Sequence, residues 1–416
     1  MITAPKGTID ITPKDVYKWQ YVENLLRKIT AGFNFKEIRT PVFEHTELFQ
    51  RGVGDTTDVV SKEMYTFIDK ADRSITLRPE GTAGVVRSFL QNGMFADAQP
   101  TKLYYIIPCY RYEKPQAGRL REFRQFGVEM FGSYEPSADA DVISLVKLIL
   151  NKLGVKDITL NINNIGCPKC RSEYNKKLIE CLEAKKDKLC PTCQERLYKN
   201  PMRIFDCKSE ICQELIKDAP KMFDSVCDDC KDHFDKVLKY LDAMEIAYNI
   251  DKGIVRGLDY YTKTVFEFVS NSIGAQGTVC GGGRYDNLVE ELGGKPCAGI
   301  GFAMGIERLL LVMENTGIEI PEEETCDIFV AALGENADFK AAKIVADLRT
   351  AGIKAEKDHL ARSLKAQMKF ADKIKAKYTV VLGDNEIENN KVTVKNMKTG
   401  EQQETSIENI ANMLEI

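Results

Sequence analysis

No stretch of this chain approaches the roughly eighteen consecutive apolar residues that would span a bilayer. Its first residues, MITAPKGTIDITPKD, also lack a basic segment followed by an apolar core. The expectation is a cytoplasmic chain without a membrane segment. Nor does one sign of charge dominate, since 58 lysines and arginines face 62 aspartates and glutamates for a net of −4. The chain as a whole is no electrostatic trap for nucleic acid, so any such contact must come from local basic patches. Cysteine, in contrast, is plentiful. The 13 cysteines are odd in number and most cluster as Cys-x-x-Cys pairs in one middle segment, which favours thiols and metal ligation over a disulfide framework. A length of 416 residues with 44% hydrophobic content allows about two to four domains with ordinary cores.

Trp19, Val22, Leu25, Leu26, Ile29 and Phe33 recur at helical spacing and predict an amphipathic helix from about Val16 to Gly32. The segment FKEIRTPVFEHTELF follows as extended chain. ITLRPEGTAGVVRSFL, residues 75–90, reads as strand, turn and helix, with Glu80 and Thr82 at the strand end and Thr82 placed to cap the helix. Residues 104–131 read as a strand-loop-strand hairpin whose mouth carries Arg111, Lys114, Arg119, Arg121 and Arg124 among Tyr110, Tyr112 and Phe123. That mixture suits phosphates beside flat rings; a solvated edge hairpin is the alternative. PSADADVISLVKLILNKLG then predicts a helix ending at Gly154.

Between residues 166 and 231 lie Cys167, Cys170, Cys190, Cys193, Cys207, Cys212, Cys227 and Cys230. Eight thiolates can furnish two tetrahedral zinc sites, grouped on sequence order as 167/170/190/193 and 207/212/227/230. A single zinc, or reduced thiols packed as small hydrophobes, are the other readings. VRGLDYYTKTVFEFV reads as a strand, which would send Tyr260 and Tyr261 to opposite faces. Three glycines before Arg284 and Tyr285 permit close backbone approach, and Arg308 opens an apolar helix where its partner is a ligand phosphate or an internal carboxylate. After the acidic linker at 314–325, strands alternate with helices in a small α/β domain with a basic side, including Arg362, Lys365, Lys369 and Lys373.

YRYEKPQAGRLREF resembles motif 2 of the class II aminoacyl-tRNA synthetases, AGIGFAMGIERLLL resembles motif 3, and the first helix with PVFEHTELF is similar to motif 1. Within that class, LRPEGT at 77–82 and RGLDYY at 256–261 resemble segments of the histidyl-tRNA synthetases. The likeness covers 1–165 and 250–416. It implies an α+β fold, an antiparallel sheet flanked by helices, with catalytic parts at 1–165 and 250–320, a cysteine-rich insertion at 166–249 and an anticodon-binding domain at 326–416. It implies a homodimer that activates L-histidine with ATP and Mg2+ and transfers it to tRNA(His). Arg111 and Arg256 are then the catalytic charges at the α-phosphate. Glu113 and Phe123 read and stack the adenine, and Arg119 and Arg308 hold the outer phosphates. Glu80, Thr82 and Gln125 surround the amino acid's backbone groups, Glu129 and Tyr261 bond its ring, and Tyr260 and Tyr285 stand nearby. The insertion's zinc is expected to be structural. Two rivals remain: a non-catalytic relative that regulates histidine biosynthesis, and a zinc-dependent RNA-binding protein.

Overall fold

The computed structural model describes all residues except 55–56, 323–325 and 415–416, so part of the predicted 314–325 linker lies outside the described residues. The chain divides into two compact units, Met1–Ile320 and Pro321–Ile416. In the first, an eight-stranded sheet runs in the order Lys36–Glu37, Thr101–Tyr110, Glu122–Phe131, Gly299–Gly305, Thr278–Arg284, Thr262–Val269, Thr159–Asn164 and Asn249–Ile250. Its six inner strands pair antiparallel, and a two-residue strand joins each edge in parallel.

The predicted hairpin forms from Thr101–Tyr110 and Glu122–Phe131, in a register that sets Tyr105 opposite Gly127 and Leu103 opposite Glu129. Alternation along the strands sorts its side chains onto two faces. Tyr104, Phe126, Val128 and Met130 enter an apolar core with the helices Val16–Gly32, Pro136–Lys152 and Ile306–Asn315. Trp19, Val22, Leu26 and Ile29 supply the buried stripe of the first of these. Each fully buried large apolar side chain contributes about 1.5–3 kcal/mol, so this face carries the stability of the sheet. Gln125, Gly127 and Glu129 turn the other way, and that face is free to be polar.

The polar face is braced from below. Arg284, fully buried, donates through Nε to Asp139 Oδ2 at 3.0 Å and through Nη1 to the Ser133 carbonyl at 2.9 Å. His233 Nε2 lies 3.3 Å from Asp139 Oδ1. Burial opposes the charge on Asp139, but Arg284 and His233 outweigh it and hold the carboxyl down to about 2.

A three-stranded sheet of Phe43–His45, Ser74–Leu77 and Tyr65–Ile68 delivers the chain into the helix Thr82–Gln91. The cap differs from expectation. Both Glu80 carboxylate oxygens accept, one from the Thr82 amide and one from the Ala83 amide, each at 2.8 Å, so Glu80 supplies the cap and Thr82 is the first helical residue. The VRGLDYY stretch also differs: the strand begins only at Thr262. Residues 254–261 are irregular, alternation does not apply, and the Tyr260 and Tyr261 rings lie on one side with centroids 4.6 Å apart. The insert is built from the helices Pro168–Glu183, Pro191–Lys199, Glu210–Ile216 and Asp228–Ala243, joined by 3-10 turns.

In the second unit the strands Ala355–Lys357, Ile328–Ala332 and Tyr378–Leu382 are parallel, and Lys391–Asn396 and Gln402–Ser406 continue the sheet antiparallel.

Candidate active site

The polar face opens into a cleft of about 560 Å³. Of the thirteen residues expected to act on nucleotide or amino acid, eleven line it: Glu80, Thr82, Arg111, Glu113, Arg119, Phe123, Gln125, Arg256, Tyr260, Tyr261 and Arg308. They arrive from a helix start, the hairpin loop and its second strand, the irregular 254–261 segment and a second helix start. Glu129 and Tyr285 lie one layer beneath the lining. Each is 1% exposed; Tyr285 donates to Glu129 Oε2, and Thr82 Oγ1 donates to Glu129 Oε1 at 2.7 Å. Burial pushes Glu129 up to about 8 against these donors.

Gly127 leaves space on this face. A Cβ there would come within 2.3 Å of the Tyr105 ring. The space lets the Tyr105 hydroxyl reach Glu129 Oε1 at 3.2 Å and Gln125 Oε1 at 3.4 Å. The glycine triplet serves a similar end. It lies within the strand Thr278–Arg284 and forms no turn, and a Cβ on Gly281 would strike the Arg256 guanidinium. That guanidinium pairs with Glu267. Burial opposes its charge, but the Glu267 carboxylate more than offsets this and raises the pKa above the ordinary arginine value.

The other end of the cleft is cationic. Arg111 donates to the Pro79 carbonyl at 2.8 Å and lies 5.5 Å from the Phe123 ring centroid. Arg119 pairs with Glu113 at 2.8 Å. Arg308 donates to the Thr278 carbonyl at 2.8 Å, and burial, with Arg119 nearby, pulls it down to about 10. It remains charged at neutral pH. Three arginines around one open volume stabilise an anion spread over several oxygens.

Sequence reasoning missed Glu267, Glu307 and, from the insert, Asp206 and Lys208, all of which line the cleft. Glu267 was detectable as one acid within the apolar alternation TVFEFV, and Glu307 as the acid opening an apolar helix; Glu307 accepts from the Arg124 amide at 2.8 Å. Asp206 and Lys208 sit in a segment rich in both charges and leave no such signal.

The cysteines form two groups, but not in sequence order. Cys167, Cys170, Cys227 and Cys230 gather in one and Cys190, Cys193, Cys207 and Cys212 in the other, with the sulfurs of each group within 4.8 Å of one another. The expected grouping is therefore corrected: the first and last pairs meet because the start of the helix Asp228–Ala243 comes back to the start of the helix Pro168–Glu183, with the Cys227 amide and Cys230 sulfur against Cys170 Sγ. Sulfur separations of 3.5 Å for Cys167–Cys170, 3.9 Å for Cys170–Cys230 and 3.8 Å for Cys190–Cys207 are far beyond a disulfide bond. They match the roughly 3.8 Å edge of a tetrahedron with about 2.3 Å zinc–sulfur bonds.

Comparison with known proteins agrees with this geometry. The family model for histidyl-tRNA synthetase matches residues 7–309. The chain belongs to the histidyl-tRNA synthetase family. A model for the anticodon binding domain matches residues 327–415. A histidine–tRNA ligase of Acetivibrio thermocellus is 61% identical over 99% of this chain and 99% of its own length. One from Clostridioides difficile is 59% identical over 96% of this chain and 95% of its own. Apo histidyl-tRNA synthetase of Staphylococcus aureus superposes with a TM-score of 0.86 at 45% identity, covering 100% of both chains.

Proposed function

We infer that this chain is a histidine–tRNA ligase, which converts L-histidine and ATP to histidyl-adenylate and pyrophosphate and then transfers histidine to tRNA(His). The carrying observation is 61% identity to a histidine–tRNA ligase over essentially the whole of both chains. This sets aside the regulatory and RNA-binding rivals, and an assembled cleft with its arginines in place supports the same conclusion.

The histidine carboxylate attacks the α-phosphate in line, so catalysis is positioning and charge stabilisation. We assign Arg111 and Arg256 to the charge that develops there, with Glu267 holding Arg256 in advance. Arg119 and Arg308 take the outer phosphates and the departing pyrophosphate, while Glu113 and Phe123 receive the adenine. Glu80, Thr82 and Gln125 serve the ammonium and carboxylate end of histidine. Glu129 and Tyr261, with Tyr260 and Tyr285, bracket the imidazole, whose two nitrogens offer one polar group at each edge. Glu307 Oε2 is buried without a hydrogen-bond partner and fits a Mg2+ carried on the nucleotide, which would shield phosphate charge.

The two sulfur tetrads fit structural Zn2+. Backbone amides aimed at sulfur, Cys227 to Cys170 Sγ at 3.1 Å and Cys190 to Cys212 Sγ at 3.3 Å, suit thiolate ligands. We assign 1–165 and 250–320 to activation, 166–249 to a zinc-bearing insertion and 326–416 to the anticodon. Exposed Phe43, Phe67 and Ile68 on the three-stranded sheet support a homodimer contact. A cytoplasmic location accords with the absence, among described residues, of a helix long and apolar enough to cross a membrane. Exchange of pyrophosphate into ATP tests the activity. It should depend on histidine and on no other amino acid, and metal-replete protein without such exchange would refute the assignment.

A further inference from the structure

The segment that carries Arg256, Tyr260 and Tyr261 belongs to no strand or helix, so sheet pairing does not hold its backbone. Two arginines of the insert take up three of its carbonyls. Arg203 Nη2 donates to the Gly257 carbonyl. Arg171 donates through Nη1 to the Asp259 carbonyl at 3.3 Å and through Nη2 to the Tyr261 carbonyl. Asn200 adds a bond to Asp259 Oδ1 at 2.9 Å, and Arg203 Nε stands 3.8 Å from the same oxygen. Arg203 is only 5% exposed. Arg203 spends a buried guanidinium on one backbone carbonyl and the nearby Asp259 carboxylate, and Arg171 forks across two carbonyls, geometry that a lysine's single ammonium reproduces less well.

Neither arginine lines the 560 Å³ cleft, so neither meets nucleotide or amino acid directly. Each is mounted on a different sulfur tetrad. Arg171 follows Cys170 in the helix Pro168–Glu183, and Arg203 lies in the turn Pro201–Asp206 just before Cys207. Each tetrad thus carries on its own helix or turn one of the two arginines that reach the segment, and the two arms meet at Asp259.

We propose that Arg171 and Arg203 are positioning residues for histidine activation, clamping residues 257–261 so that Arg256, Tyr260 and Tyr261 face the cleft, and that the two metal-bound tetrads are the mounts of this clamp. The proposal rests on the ligase and zinc readings above. It gives the insert a role in amino-acid activation that needs no tRNA. Arg256, which meets charge only as it develops at the α-phosphate, is the one nucleotide-facing group near the clamp; Arg111, Glu113, Arg119, Phe123 and Arg308 come from other elements and are not held by it.

Arg171→Met and Arg203→Met, each beside its lysine counterpart, are to be assayed by pyrophosphate exchange in the full chain. The methionine variants should keep wild-type metal content and a KM for ATP within about twofold, while KM for histidine rises about tenfold or more and kcat falls, since small misplacement of reacting groups is costly. The lysine variants should recover part of the loss. Folded, metal-replete methionine variants with wild-type histidine KM overturn the clamp, as does an equal rise in both KM values. Should the variants not fold, wild-type protein stripped of metal and then reloaded with Zn2+ decides: histidine KM should rise and return while KM for ATP holds, and an unchanged histidine KM overturns the mount. Wild-type protein that carries no metal yet exchanges normally refutes the zinc reading and the mount with it. Wild-type protein with no histidine-dependent exchange refutes the ligase reading itself.

Discussion

The cleft and the insert each converge like groups that the fold alone leaves incompletely satisfied, but they solve the problem on different scaffolds. In the cleft, arginines and carboxylates project from loops and helix starts anchored on a paired sheet whose far face is packed into the apolar core. In the insert, eight sulfurs lie at helix starts and in turns, beside a small apolar core that includes Tyr174, Leu178, Leu197 and Ile204. On the zinc reading proposed above, a ligand completes the first region and a metal locks the second. The cleft should therefore survive loss of its charges as a fold, and the insert should not survive loss of its ions.

The largest expected effect tests that contrast. Structural zinc in small thiolate sites contributes on the order of 10 kcal/mol of apparent folding free energy. Elemental analysis should find about two zinc per chain, and chelation or Cys170→Ser with Cys230→Ser should unfold the insert while the eight-stranded sheet persists. Amide hydrogen exchange reads this region by region. Protection that stays uniform through 166–249 after metal removal would erase the distinction between the two scaffolds.

Next comes the buried carboxylate beneath the cleft. Glu129 is raised from 4.5 to about 8 in the folded chain. Between these values the folded state holds a proton that the unfolded state has released. Its contribution to stability is complete below about 4.5 and is lost as pH rises through about 8, a change of at most about 5 kcal/mol. Glu129→Gln fixes the neutral form, so stability relative to wild type should rise with pH across that window. Urea unfolding at several pH values measures it, and parallel curves would mean that Glu129 is ionised when folded. Asp139, held down to about 2 by Arg284 and His233 despite burial, has the opposite sign and loses its contribution only in strong acid.

Arg256→Gln comes third, with a loss of about 3–4 kcal/mol in transition-state stabilisation, a hundredfold or more in kcat for exchange. Glu267 loses its ion-pair partner and keeps only the Thr278 hydroxyl, so a modest fall in Tm should accompany it. A kcat within a few-fold of wild type would remove Arg256 from the chemistry.

Much of this was legible in the chain, and where it failed the reason was tertiary. The helical spacing of Trp19 through Ile29 and the alternation of Phe126, Val128 and Met130 reflect burial against a single core, so local pattern carried them. The motif residues share the cleft because the loops and helix starts that carry them are anchored on one sheet. RGLDYY misled because its strand-like composition continues a real strand, while the backbone before Thr262 is held by insert side chains that no local pattern announces. The sulfur grouping failed for a similar cause: nearness in sequence favoured 167/170 with 190/193, whereas the return of the helix Asp228–Ala243 decided otherwise.

The smallest change, Gly127→Ala, asks how rigid the cleft's floor is. The added carbon would meet the Tyr105 ring at 2.3 Å, and that ring is also pressed against Gly81, where a Cβ would fall within 2.4 Å of it. Tyr105 cannot tilt away without leaving Glu129 and Gln125, which its hydroxyl bridges. Overpacking of this kind costs about 1–3 kcal/mol. If the strands hold the floor fixed, Gly127→Ala should lower Tm and raise KM for histidine while KM for ATP holds, because the arginines at the cationic end do not touch Tyr105. If KM for histidine stays unchanged while Tm falls, the floor yields as a soft core would, and the rigidity that separates the cleft from the insert is less than the strand pairing implies.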